Sequence, residues 1–289
     1  MGKLISTKNM SREEWLRCRK QGIGGSDAGA VCGVNPYVSP ATVYADKTSE
    51  EIRIEDNESM RQGRDFEDYV AKRFCEATGL KVRRSNMMYQ HPDYPWMLAD
   101  VDRLICGEKA GLECKTASAF SSDKWRDISS LPDYYMVQCQ HYMAVMDWPY
   151  MYLACVVLGK DFAYYRIDRN NEMIQNIIQL EKYFWEENVM KRCLPEPDGS
   201  KAFDELIGGS YFNPKKDTVI PLLGMDSELS RRADITRMIT KLETEKKAID
   251  QHIKVYMNEN ETAENDRYRI TWKYSETTGQ RRFMVKEVA

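Results

Sequence analysis

Asp102 and Glu113-Cys114-Lys115 are the residues of this chain whose types and spacing best suit chemistry. They lie in the run MLADVDRLICGEKAGLECKTAS, with an acid at one end of an expected β-hairpin and an acid-x-lysine at the other. Two carboxylates and the intervening backbone carbonyl of Cys114 are oxygen donors suited to a hard divalent cation. Lys115 shares a strand face with Glu113 and can reach water on such a cation. This is the layout of a magnesium-dependent nuclease site. The triplet alone is a weak signal, because charged residues make up 30% of the chain and such triplets arise by chance on exposed strands. Context strengthens it. Cys106, Leu112 and Cys114 mark both strands as largely buried, so charges between them need partners. Asp100 shares a strand face with Asp102 and could bring a third carboxylate.

The elements that must position these groups follow from periodicity. Residues 59–78 form a long helix whose buried face includes Gly63, Val70 and Phe74, with Glu67 on the same stripe. A carboxylate there is costly unless paired or metal-bound. It either bridges to an arginine such as Arg64 or Arg103 or joins the cation. Residues 82–90 and 96–106 read as strands, 107–111 as a hairpin turn and 112–116 as the next strand. In the second long helix, 133–147, Gln138 shares a face with Tyr134, His141, Tyr142 and Val145. Its amide either bonds backbone or meets the same cavity. The apolar run 150–158 suits the interior of a sheet, with 162–167 beside it and a helix at 171–191. The order α-β-β-β-α-β-β-α gives an α/β (α+β) fold with a mixed central sheet flanked by helices.

Upstream, Ser11 and Glu14 form a capping-box start for a helix running to Lys20. Gly22-Ile-Gly-Gly-Ser-Asp27 breaks it and opens a short helix, Asn35-Pro36 marks a turn, and 40–48 form another short helix. Downstream, 198–224 read as an irregular linker and 226–259 as a long charged helix. Its apolar seam comprises Ile235, Ile239, Leu242, Ile249, Ile253 and Tyr256, interrupted by Lys246. The tail forms a β-hairpin around Thr277-Thr-Gly279. Two parts are expected, residues 1–197 and a C-terminal extension of 198–289.

Composition narrows the class. No apolar run approaches a membrane span, and MGKLISTKNMSREEW lacks the apolar core of a secretory signal, so a soluble cytoplasmic protein with no membrane partner is expected. The eight cysteines form no CxxC pair, and most read as small buried thiols rather than iron–sulfur ligands. Three histidines argue against a histidine-rich zinc site. A net charge of −3 excludes a wholly basic DNA-binding module, but an acidic metal site needs basic residues only along its groove. Residues 81–84 and Arg12, Arg17, Arg19 and Lys20 are local basic patches, or ordinary solvated surface.

Arg19 with Gly22–Asp27, Gly63 with Glu67, Asp102, Glu113-x-Lys115, and Gln138-x-Gln140-His141-Tyr142 together make the chain resemble the YqaJ-type viral recombinase family. These are phage-encoded relatives of phage lambda exonuclease in the PD-(D/E)XK nuclease superfamily. The resemblance spans about residues 12–190 and implies a restriction-endonuclease-like core. It departs from the usual pattern at Val101-Asp102-Arg103, which leaves Asp100 as an alternative ligand and gives Arg103 a role in neutralising the site or touching DNA. It implies Mg²⁺, or Mn²⁺ as a substitute, on Asp102, Glu113 and the Cys114 carbonyl, with Glu67 helping to hold a second ion. Lys115 would orient or deprotonate the attacking water, Gln138 would bond water or phosphate, and Tyr142 would support it. Arg19 and Ser26 would hold a 5′-terminal phosphate, a role their fork geometry and hydroxyl suit; the plain alternative is a helix-joining turn. The implied activity is a 5′→3′ exonuclease on double-stranded DNA ends that leaves 3′ overhangs for a single-strand annealing protein (RecT-like). A homo-oligomer, commonly a trimeric ring, is also implied. An endonuclease of the same superfamily and a non-catalytic DNA-end binder are the competing readings.

Overall fold

The structure, a computed structural model, describes residues 5–52 and 57–288. The first four residues of the stretch read for a secretory signal lie outside that description. The chain divides into two compact units, Met1–Pro214 and Lys215–Ala289. In chain order the first contains β1 (Ile5–Ser6), α1 (Arg12–Arg19), β2 (Ile23–Gly24), α2 (Gly25–Val31), α3 (Pro40–Thr48), α4 (Glu58–Thr78), β3 (Val82–Arg84) and β4 (Met87–Gln90). It continues with β5 (Met97–Ala99), β6 (Arg103–Ile105), β7 (Gly111–Ala117), α5 (Asp133–Met146), β8 (Tyr150–Val157), β9 (Asp161–Asp168), α6 (Asn171–Tyr183) and α7 (Lys201–Ser210).

Local chemistry sets several boundaries. Ser11 and Glu14 close the expected capping box on α1. Ser39 and Asn57 cap α3 and α4 by accepting from backbone N–H groups. Asp127 does the same for a short 3-10 turn, while Asn170 caps α6.

The main sheet is five-stranded, in the order β3-β6-β7-β8-β9. Only β7 and β8 run parallel, so the sheet is mixed as expected. Strand alternation gives it two faces. Leu112, Ala154 and Val156 pack with Val70 and Phe74 of α4. Leu153, Cys155 and Met151 pack with Cys139, Tyr142 and Met143 of α5. Glu113 and Lys115, one residue out of step with Leu112, therefore point to the α5 face. A second, four-stranded sheet has the order β1-β4-β5-β2.

The two long strands expected at 82–90 and 96–106 are each broken. Asn86 takes a left-handed conformation (φ 50°), which splits β3 from β4. Residues 100–102 leave strand geometry between β5 and β6, so the chain crosses from the small sheet to the large one there. Asp100 and Asp102 thus do not share a strand face; they sit in the crossing. The 198–224 stretch is not wholly irregular either. Within it α7 forms, capped by Ser200, and Phe203 is buried with Leu206 packing against the cluster of Val43, Tyr44 and Phe184. That packing places 198–214 with the first unit rather than with the extension.

The second unit contains α8 (Asp226–Met257) and a three-stranded antiparallel sheet of β10 (Thr262–Glu264), β11 (Tyr268–Ser275) and β12 (Gln280–Glu287). The expected tail hairpin is β11–β12, with Gly279 at φ +65° in its turn. Along α8, Leu242 and Ile249 of the apolar seam are exposed. The cysteines are free thiols, but only Cys139 and Cys155 are buried, and Cys106 and Cys193 are exposed; reading most of them as small buried thiols overestimated their burial.

Candidate active site

A cavity of the first unit, about 380 Å³, opens where the sheet runs out of partners. Strand β6 pairs with β7 only at Gly111 and Leu112. Beyond that, the β6-side edge of β7 is open, and the carboxylate of Asp102 takes it by accepting from Cys114 N–H at 2.8 Å. A strand residue directs its N–H and C=O to the same edge, so the Cys114 carbonyl faces that edge too.

Around this opening the structure gathers Arg19, Ser26, Glu67, Asp100, Asp102, Glu113, Lys115, Gln138 and Tyr142. Glu113 is buried, at 4% exposure. Its Oε1 accepts from Lys115 Nζ and from Gln138 Nε2, both at 2.7 Å, while its Oε2 is buried without a hydrogen-bond partner. Gln138 also donates to the Tyr142 hydroxyl at 3.3 Å, and Tyr142 donates to the Asp100 carbonyl at 3.2 Å. The Gln138 amide therefore bonds side chains of the site. Gly25 makes this possible, because a Cβ there would lie 2.5 Å from the Tyr142 ring.

The electrostatics are those of crowded acids. Burial, then the charges of Glu113 and Glu67, push the Asp102 carboxyl well above the usual range. Burial raises Glu113 as well, although Lys115 opposes it. Burial works against the charged form of Lys115, but the Glu113 carboxylate outweighs it and holds the ammonium more firmly than usual. Burial and the charges of Glu113 and Asp102 keep Tyr142 a phenol. Glu67 reaches the cavity from α4 and accepts from Arg103, whose other nitrogen donates to Asp68 at 2.6 Å. Arg103 neutralises acids, one of the two roles expected of it. Among the described residues, no three Asp, Glu, His or Cys side chains converge at metal-ligand spacing.

A second subsite lies along the same cavity. Arg19 Nη2 donates to Ser26 Oγ at 2.7 Å and to Asp27 Oδ1 at 2.9 Å. Lys47, from α3, donates to Asp27 Oδ2 at 2.8 Å and to the Arg19 carbonyl at 3.0 Å, with its side chain 1% exposed. Burial disfavours the Asp27 carboxylate, but Arg19, Lys47 and the Gly24 N–H overcome it and hold its pKa well below the usual range. Asp27 thus fixes the guanidinium beside Ser26. Trp15 joins the two subsites: its indole N–H donates to Asp100 Oδ2 at 2.5 Å, and the guanidinium groups of Arg12 and Arg19 lie 4.3 and 5.0 Å from its ring centre. Sequence reasoning did not single out Trp15, Asp27 or Lys47 for these roles. Trp15 and Arg19 at i,i+4 on α1 were a usable signal; the reach of Lys47 was not. Of the basic patches, Arg12, Arg19 and Arg84 line the cavity. Arg17 instead pairs with Glu13, and Lys20 donates to the Asp46 and Ser49 carbonyls.

The model of the YqaJ-like viral recombinase domain matches residues 14–148, which contain the cavity residues from Arg19 to Tyr142. The YqaJ protein of Bacillus subtilis (strain 168) is 36% identical over 274 residues, covering 93% of this chain and 86% of its own length. The chain belongs to the YqaJ-like viral recombinase family. Its fold is shared with an alkaline exonuclease of known structure. The alkaline exonuclease LHK-Exo of Laribacter hongkongensis superposes with a TM-score of 0.54 at 17% identity, over 70% of this chain and 100% of its own. The same enzyme in complex with dAMP gives 0.54, over 68% and 97%. Among the described residues, no helix is long and apolar enough to cross a membrane.

Proposed function

We propose that this family member is a divalent-metal-dependent deoxyribonuclease that degrades duplex DNA from its 5′ ends, leaving 3′ overhangs suited to a single-strand annealing partner. One observation carries the reading: buried Glu113 keeps an oxygen without a partner beside Asp102, in a cavity that also holds Arg19 and Ser26. Two crowded carboxylates whose burial opposes ionisation are a donor set that a hard dication would stabilise. The residues therefore fit Mg²⁺ or Mn²⁺, held by Asp102, Glu113 and the Cys114 carbonyl, with Glu67 within the same cavity. When bound, the ion would polarise the scissile phosphate and stabilise charge on the attacking and leaving oxygens.

The chain's own groups do the rest. Lys115, an ammonium fixed to Glu113, orients the attacking water and balances the two acids. Gln138 holds the other donor position on Glu113 and is itself set by Tyr142. Arg19 and Ser26 receive the 5′-terminal phosphate as a fork and a hydroxyl. The fold shared with an exonuclease whose crystals hold a mononucleotide supports this reading.

The test is digestion of linear and covalently closed duplexes, with and without Mg²⁺, using 5′-phosphate and 5′-hydroxyl ends. Metal-dependent loss of the linear 5′-phosphorylated duplex, with the circle intact, is expected. Cutting of the circle would make the protein an endonuclease, and no digestion of any duplex would make it an end binder.

A further inference from the structure

A row of aromatic rings leads from the catalytic lysine to solvent. Lys115 Nζ lies 5.0 Å from the centre of the Tyr135 ring. Tyr135 lies 4.4 Å from Tyr134, and Tyr134 meets Tyr37 edge-on at 6.1 Å. Trp125 braces the inner end, 5.5 Å from Tyr135. Tyr134 and Tyr135 are half-buried, whereas Tyr37 is 72% exposed.

The row is built rather than incidental. Gly29 of α2 lets α5 approach, since a Cβ there would lie 2.8 Å from Tyr134 Cβ. Asn35 Oδ1 accepts from the N–H groups of Tyr37 and Val38, which fixes the turn that presents the exposed ring. A ring of this size left in water forgoes about 1.5–3 kcal/mol of burial. The 3-10 turn carrying Trp125 (Ala119–Trp125) follows directly from β7, the strand of Glu113 and Lys115. It presents Phe120, 98% exposed, and Lys124, whose charge reaches the Tyr134 phenol.

We infer that Tyr37, Tyr134 and Phe120, with Lys124, form a binding site for unpaired nucleotides of the DNA strand next to the cleavage site. Exposed rings interleaved with a lysine suit bases and phosphates of a single strand, because every base offers a stacking face and every phosphate a charge. A base-paired duplex, with its base faces already stacked on one another, cannot use such rings. The site rests on the nuclease reading for its purpose, but its binding is measured separately from cleavage.

The experiment is fluorescence anisotropy of a labelled 20-nucleotide oligothymidine and of a blunt labelled duplex, with the full chain in EDTA. Binding of the oligothymidine is expected to weaken about tenfold for Tyr37→Ala and again for Phe120→Ala, as loss of one stacked base would give. Tyr37→Phe, which keeps the ring, is expected to bind like the unsubstituted chain, and blunt-duplex binding is expected to stay unchanged in all variants. Both truncated rings are solvent-exposed, so the core is untouched. Absence of oligothymidine binding by the unsubstituted chain, equal affinities across the variants, or equal weakening on the blunt duplex would each overturn the site. Failure of the nuclease reading shows elsewhere, as absence of Mg²⁺-dependent digestion by the unsubstituted chain.

Discussion

Replacing Lys115 by alanine separates the electrostatic role of this residue from its chemical one. Lys115 Nζ stands 2.7 Å from Glu113 Oε1, with the lysine side chain 20% and the glutamate side chain 5% exposed. At an effective dielectric of about 20, that separation corresponds to an attraction of about 6 kcal/mol. Desolvation of both groups offsets much of this, and removing one partner of a buried pair typically costs about 3–5 kcal/mol. Gln138 still donates to the same oxygen, so the lower end, ~3 kcal/mol, is expected. For a unit of this size that lowers the metal-free Tm by about 6–12 °C. Without the ammonium, Glu113 and Asp102 lose the cation hydrogen-bonded to Glu113, so Mg²⁺ should raise the Tm of the variant more than that of the unsubstituted chain. Cleavage should nonetheless fall by at least about a hundredfold, the usual scale of a lost proton-handling group. Thermal melts with and without Mg²⁺, beside digestion of an end-labelled linear duplex, give both readouts. Undiminished cleavage would refute the chemical role, and an unchanged metal-free Tm would refute the ion-pair argument.

Arg19→Ala should abolish the preference for 5′-phosphate over 5′-hydroxyl ends while leaving Mg²⁺ binding intact, as shown by digestion rates on the two ends and a metal titration of Tm. Asp27 has a depressed folded pKa, so its stabilisation is fully present above the unfolded carboxylate range near 3.8 and is lost as pH falls below it. The stability gap between the unsubstituted chain and Asp27→Asn, read as urea midpoints, should narrow from pH 6 toward pH 3; a gap independent of pH would refute the assignment. Gly25→Ala forces a methyl group against the Tyr142 ring and should cost about 1–3 kcal/mol. Because Tyr142 supports Gln138, cleavage by the folded variant should fall as well, which a comparison of denaturant midpoint and rate will show.

Much of the site is legible residue by residue. Glu113 and Lys115 face the same way because strand side chains alternate, and Gln138 and Tyr142 are neighbours because helix residues four apart share a face. The capping box on α1 and the turn before β7 rest on equally local chemistry. These features depend on steric rules within a few residues, so they can be read along the chain before any tertiary contact is known. Other features depend on where distant segments meet. The strand expected over 96–106 breaks at Asp100–Asp102 because the chain changes sheets there, and no local pattern encodes which sheet a three-residue strand joins. Helix α7 forms in a Gly- and Asp-containing stretch because Leu206 packs against Val43 and Tyr44, more than a hundred positions earlier. The pairing of Arg103 with Glu67, the clamp of Lys47 on Asp27 and the indole of Trp15 on Asp100 join residues 20 to 85 positions apart. They arise in the folded molecule alone, because a hydrogen bond or ion pair is set by a few ångströms of separation, and that separation exists only after the sheets and helices have closed around the cavity.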